Sequence, residues 1–158
     1  MFEAELELVN GGADCLPALE SLLKGAAKNR FGVPYARLGL PLECALQVVR
    51  RLGPVAKPLE PYLREQLRCG NLTAAAALGS LGTLEQDSIT QLAVSLEDSP
   101  ILAMESAMAL LVCGEGDHPT VLEMASGSRA AARILERARA WHNRIRPSAA
   151  PDAPPSGA

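Results

Sequence analysis

Aromatic side chains are nearly missing from this sequence: two phenylalanines, two tyrosines and one tryptophan make up 3% of its 158 residues. A core without rings must be built from Leu, Ala, Val and Ile, with short distances between the packed elements. The β-branched and aromatic residues that suit sheets are scarce, while the strong helix formers Ala and Leu are plentiful, so an all-α fold is expected. No uninterrupted apolar run reaches the roughly 18 residues of a membrane-spanning helix, so no membrane partner is expected. The opening Met1-Phe2-Glu3-Ala4-Glu5-Leu6-Glu7 is acidic where a signal peptide is basic, which predicts a cytoplasmic location.

Chemistry-bearing clusters are also sparse. The four cysteines, Cys15, Cys44, Cys69 and Cys113, are separated by 29, 25 and 44 residues, and none belongs to a CxxC pair or a Cys/His cluster. A structural zinc site is therefore not expected, and each cysteine reads as a small core residue beside an apolar helical segment. No nucleophile motif, phosphate-binding glycine loop or metal signature occurs, so no cofactor is expected. Gly79 and Gly82 serve helix packing and termination; they do not make a GxGxxG loop.

What is present is a repeat. Residues 71–116 read as an Ala-rich apolar segment ending in Leu81-Gly82, an amphipathic segment ending at Glu97-Asp98-Ser99-Pro100, and a third apolar segment ending in Cys113-Gly114. Leu52-Gly53 closes an upstream segment in the same way, so the glycines at 53, 82 and 114 follow one another at 29 and 32 residues. A period of about 30 residues with two helical segments each is the mark of stacked helix pairs. The Ala74–Gly82 run, Leu96-Glu97-Asp98-Ser99-Pro100 and Ser106-Ala107-Met108-Ala109-Leu110 together resemble the HEAT family, above all its shorter bacterial, phycobilin-lyase-type repeats. The resemblance is clearest over residues 41–116. It implies a right-handed α-solenoid of about four helix pairs over residues 1–146, and it is specific for fold but not for task.

Taken in order, residues 1–12 predict a short capping helix or ordered arm, closed by Gly11-Gly12. Asp14 stands where an N-cap would, with Pro17 in the first turn of a leucine-striped helix. Residues 26–40 form an irregular insertion carrying Phe31 and Tyr35 with Lys28, Arg30 and Arg37. Such an insertion reads as a binding loop at a solenoid edge, or as a connector whose rings plug the core. Pro41 opens the next helix, and another begins near Leu59, after Pro58. Asn71 or Thr73 is the cap expected for the Ala-rich helix, Ser88 with Gln91 matches a capping box, and Ser99-Pro100 and Asp117-His118-Pro119 read as further starts. A last helix spans about 129–146 after Gly127-Ser128, and the Pro/Ala/Ser-rich 147–158 reads as a disordered tail.

Charge is divided unevenly. Through Glu123 the chain holds 9 basic and 16 acidic residues, a net of −7, whereas the remainder nets +4. Arg129, Arg133 and Arg137 recur at four-residue spacing on one face of the last helix, Arg144 falls near the same line, and Trp141 follows Arg137 by one turn. These residues, with Phe31 and Tyr35, are the candidate partner-binding set. The plainer explanation for the arginines is a polar outer face on a terminal repeat, with basic charge offsetting the helix dipole. Glu97, Asp98, Glu105, Glu115 and Asp117 read as an acidic edge or a solvated rim, and Gly114-Glu115-Gly116-Asp117-His118 as an inter-helix turn rather than a catalytic cluster.

The expected function is that of a non-enzymatic interaction module that binds another protein: a scaffold, assembly factor, immunity-like inhibitor or complex subunit. The alternatives are a lyase-type relative, implied by the resemblance, and a nucleic-acid-binding protein using the arginine-rich helix.

Overall fold

With so few rings, the core depends on how closely bare helices approach. In the computed structural model, which describes residues 2–145, the chain is all-helical. The helices are α1 (Phe2–Asn10), α2 (Leu16–Leu23), α3 (Gly39–Leu52), α4 (Glu60–Arg68), α5 (Leu72–Ser80), α6 (Gln86–Val94), α7 (Pro100–Val112), α8 (Pro119–Gly127) and α9 (Arg129–Ile145). Short 3-10 turns join several of them, and among the described residues no strand forms beyond an isolated bridge between Lys28 and Pro34. The tail expected over 147–158 lies outside the described residues. No helix among the described residues is long and apolar enough to cross a membrane.

The helices alternate between two rows. α1, α3, α5, α7 and α9 pack side by side in succession, and α2, α4, α6 and α8 form the second row behind them. Each even-numbered helix also packs on the odd-numbered helix that follows it. Between the rows lie Leu46, Val49, Leu63, Leu67, Leu78, Leu92, Leu96 and Leu110, all essentially without solvent exposure. Burial of one such leucine contributes about 1.5–3 kcal/mol. Gly53, Gly82 and Gly114 follow α3, α5 and α7 with φ of 59°, 80° and 79°, so the periodic glycines reverse the chain at the same end of successive odd-row helices.

α5 and α7 approach each other closely. A Cβ placed on Gly79 would lie 3.0 Å from Ala109 Cα and 3.2 Å from Ala109 Cβ, so the two backbones touch through glycine and alanine. The Ala-rich segment is thus a packing seam as well as a good helix former. Asn71 caps α5 as expected, its Oδ1 accepting from the N–H groups of Thr73 (2.9 Å) and Ala74 (3.2 Å). Ser106 in α7 is fully buried and its hydroxyl has no hydrogen-bond partner, although an alanine would fill the same seam.

Other expected caps are corrected. Asp14 lies within a 3-10 turn over Gly12–Cys15 and makes no cap bond; Cys15 holds the position before α2. Ser88 is buried inside α6 rather than opening a capping box, because α6 starts at Gln86. Its cap comes from another helix: Glu60 Oε1 accepts the Glu85 N–H at 2.8 Å. Ser99 precedes α7 without a side-chain cap bond, although Pro100 does open the helix.

Glu60 is the unexpected residue here, a carboxylate with 0% exposure at the start of α4. The Lys57 ammonium sits 2.5 Å from its Oε2 and also donates to Thr83 O at 2.7 Å. Arg64 Nη1 donates to Glu85 Oε2 and to Ser88 Oγ, each at 3.2 Å. One polar knot therefore ties the turn before α4, α4 itself, the 81–85 loop and α6. Burial pushes the Glu60 carboxyl up, but Lys57, the Glu85 N–H and Ser88 together outweigh it, so the net lies below the ordinary value.

Two expectations follow. A carboxyl lowered on folding stabilises the fold above its unfolded value, near 4.5, and that contribution disappears as pH falls through the lower folded value. Glu60→Gln should therefore cost about 2 kcal/mol at pH 7 in chemical denaturation, and the two stability curves should converge as pH falls from 4.5 through the lower folded value. A gap that stays constant with pH would count against a charged Glu60. Gly79→Ala should cost about 1–2 kcal/mol, overpacking outweighing the gain in helix propensity. Gly116→Ala meets Leu111 Cδ2 at 2.5 Å, but that is the end of a side chain that can turn away, so its melting point should fall less than that of Gly79→Ala. The reverse order would refute the seam.

Candidate functional site

α9 is strongly amphipathic. Ala131, Leu135 and Ala138 are buried against α7 and α8, while Arg129, Arg133, Arg137 and Arg144 project outward. Ser128 Oγ accepts the Ala131 N–H at 3.3 Å and starts the helix. Arg139 points differently: its Nη2 donates to Asp117 Oδ1 at 2.6 Å and to Gly116 O at 2.8 Å, fastening α9 to the turn after α7. The four outward arginines make no ion pair among the described residues. Four like charges on one side of a helix, with Glu136 the one carboxylate of α9 beside them, are a cost to the isolated chain.

Three of them, Arg133, Arg137 and Arg144, border a groove on the odd row. At its first end, Arg133, Arg137 and Ile134 face Asp98, Pro100 and Ala103 around a hollow of about 250 Å³. Arg137 continues into a second hollow of about 430 Å³ with Trp141, Arg144, Ala140 and Met104. Trp141 then joins a third, of about 380 Å³, where Ile145, Met108, Val112, Glu105 and Ala109 meet Gly79 and Ser80 of α5 and Arg50 of α3. Arg137 and Trp141 are shared between neighbouring hollows, so the three form one continuous depression over four helices. Trp141, Val112 and Ile145 are each just over half exposed, at 52%, 55% and 57%. The seam at Gly79 and Ala109 makes this floor low, since no long side chain stands between α5 and α7.

Of the expected partner-binding set, Arg133, Arg137 and Trp141 come together here, and Arg129 lies one turn before them on the same helix. Phe31 and Tyr35 do not join them. Their loop packs on α2 and α3, whereas α9 packs on α7 and α8. Phe31 is 75% exposed, with the Arg30 guanidinium 4.7 Å over its ring, so it does not plug the core. Tyr35 is half-buried and faces a separate apolar pocket of about 300 Å³ between α1, α2 and α3.

The acidic residues do not make one edge either. Asp117 holds Arg139, Glu105 lies in the groove, and Asp98 stands at its first end. His118 caps α8, its Nδ1 accepting the Thr120 N–H at 3.2 Å. Met104, Met108 and Arg50 were not read as site residues from the sequence, because nothing local relates α3, α7 and α9. No group of three or more His, Cys, Asp or Glu is placed to hold a metal ion among the described residues.

No family model matches this chain, and neither the curated proteins nor the solved structures include a significant match to it. The HEAT-like resemblance therefore receives no support from these comparisons.

The cysteines separate by environment. Cys15 is buried, Cys44 and Cys113 are half-buried, and Cys69 is exposed at the end of α4, so the expectation of four core thiols fails at Cys69. Burial pushes the Cys113 thiol up to about 11, and its Sγ lies 3.4 Å from Gly79 O. Burial likewise raises Cys15, and a hydrogen bond to the Glu5 carboxylate raises Cys44. Since thiolates are the reactive form, a disulfide reagent at pH 8 should modify one thiol of the native protein quickly. Cys69→Ser should remove that fast phase; a second fast thiol in this variant would contradict the assignment.

Proposed function

We propose that this chain is a right-handed α-solenoid of HEAT-like helix pairs that acts in the cytoplasm as a non-enzymatic module binding another protein. The two alternating rows of helices and the glycines that end α3, α5 and α7 support the solenoid. The binding role rests on one observation: a continuous groove over α3, α5, α7 and α9 combines half-exposed Trp141, Val112 and Ile145 with arginines that have no ion-pair partner among the described residues. A large amphipathic ring beside unpaired guanidinium groups is the usual make-up of an interface centre. The same unpaired arginines favour nucleic acid as the second reading.

The experiment is affinity purification from the native cell of three proteins: the unmodified chain, Trp141→Ala/Arg137→Glu in the groove, and Arg68→Glu on α4 in the other row. A stoichiometric protein companion should be retained by the first and third. The groove variant should lose at least about 30-fold of the affinity, the usual effect of truncating a central tryptophan. Retention by all three would sink the groove reading, and nuclease-sensitive recovery of RNA or DNA in place of protein would support the second.

A further inference from the structure

The groove also carries information about the shape and charge of its occupant. We infer that it receives an acidic amphipathic helix of the partner protein, an inference that rests on the interaction-module reading above. From Ala130 to Ile145 the depression follows α9 for about 22 Å, the length of roughly four helical turns. Its floor is apolar and adaptable, with Met104 and Met108 beside Trp141 and Val112. Methionine side chains remodel around an incoming apolar ridge at little cost.

Backbone chemistry selects a helix. The walls are helices whose peptide groups are already paired, so no free edge exists there for an extended strand to join. A strand laid on this floor would bury unpaired N–H and C=O groups, whereas a helix brings its own bonds satisfied.

Charge selects acid. Arg133, Arg137 and Arg144 line one wall and Arg50 the other, against Glu105 and Asp98. The rest of the body through Glu123 nets −7, so an acidic segment is repelled elsewhere and admitted here. Nucleic acid fits this surface less well, because Trp141 alone offers a ring for stacking and Glu105 faces any phosphate placed above the floor. The acidic α1 of a second copy is a poor occupant as well: it packs on its own α3, and its Glu5 is held by Arg51 at 3.7 Å and by Cys44.

Trp141 is the one tryptophan of the sequence, so its emission reads the groove directly. The probes are a peptide of about 16 residues with leucines at i, i+3, i+4 and i+7 and glutamates elsewhere, the same peptide with lysines for glutamates, a scrambled glutamate peptide, and single-stranded oligoadenylate of similar length. The glutamate peptide should shift Trp141 emission to the blue with saturation, and raising salt from about 50 to 300 mM should weaken it at least tenfold. Arg137→Ala/Arg144→Ala, checked for an unchanged helical spectrum, should weaken it similarly, and Glu105→Gln should tighten it several-fold. Equal binding of the lysine or scrambled peptide, tighter binding of oligoadenylate, or an emission shift that grows with protein concentration alone would overturn the acidic helix. Silence toward the glutamate peptide would overturn it too. If the groove variant still loses its companion in the affinity purification, the interaction-module reading survives that failure.

Discussion

The register of α4 against α6 hangs on a charged group in the place where a helical core least tolerates one. Glu60 has no solvent exposure, yet it is held by a lysine three residues earlier, a backbone N–H from the start of α6 and the hydroxyl of Ser88. An ion buried this deeply is destabilising unless it is fully matched. Its three partners come from the turn before α4 and from the start of α6, and they can all be present only when α4 and α6 lie in one register. The knot thereby converts nonspecific packing of leucine stripes into a single arrangement. Similar but milder ties recur along the rows: Tyr62 to Glu20 joins α2 and α4, Thr73 to Glu43 joins α3 and α5, and Gln86 to Thr120 joins α6 and α8.

Local features of the fold were legible because local physics determines them. Asn71 caps α5, Pro100 opens α7, His118-Pro119 starts α8, and the glycines at 53, 82 and 114 adopt the left-handed conformation that ends a helix. The misread positions share a cause. Ser88 and Asp14 carry cap chemistry, but at Ser88 the cap is delivered from another helix, and at Asp14 a 3-10 turn intervenes. Glu60 sits between leucines 59 and 63 and reads as an ordinary polar position; only its neighbours in space make it internal.

The candidate site was legible along one helix and not across helices. The arginine spacing of α9 and its tryptophan are visible in the sequence as one face. That Met104, Met108, Val112 and Arg50 complete the groove follows from the side-by-side packing of α3, α5, α7 and α9, which no spacing within a single segment encodes. Phe31 and Tyr35 were grouped with the arginines because their irregular insertion reads as a binding loop, and the fold assigns them to the connection between α2 and α3.

The outward arginines also make the protein's response to ionic strength two-sided. Arg129, Arg133 and Arg137 repel one another at four-residue intervals, and like-charged pairs at that spacing cost a helix a few tenths of a kcal/mol each. Dissolved ions screen that repulsion, so salt steadies the free α9 while it weakens whatever anionic surface the helix holds. α9 is thus most strained when the solution is most dilute in counter-ions, and an acidic ligand docked against it would relieve part of its own binding cost by discharging the helix.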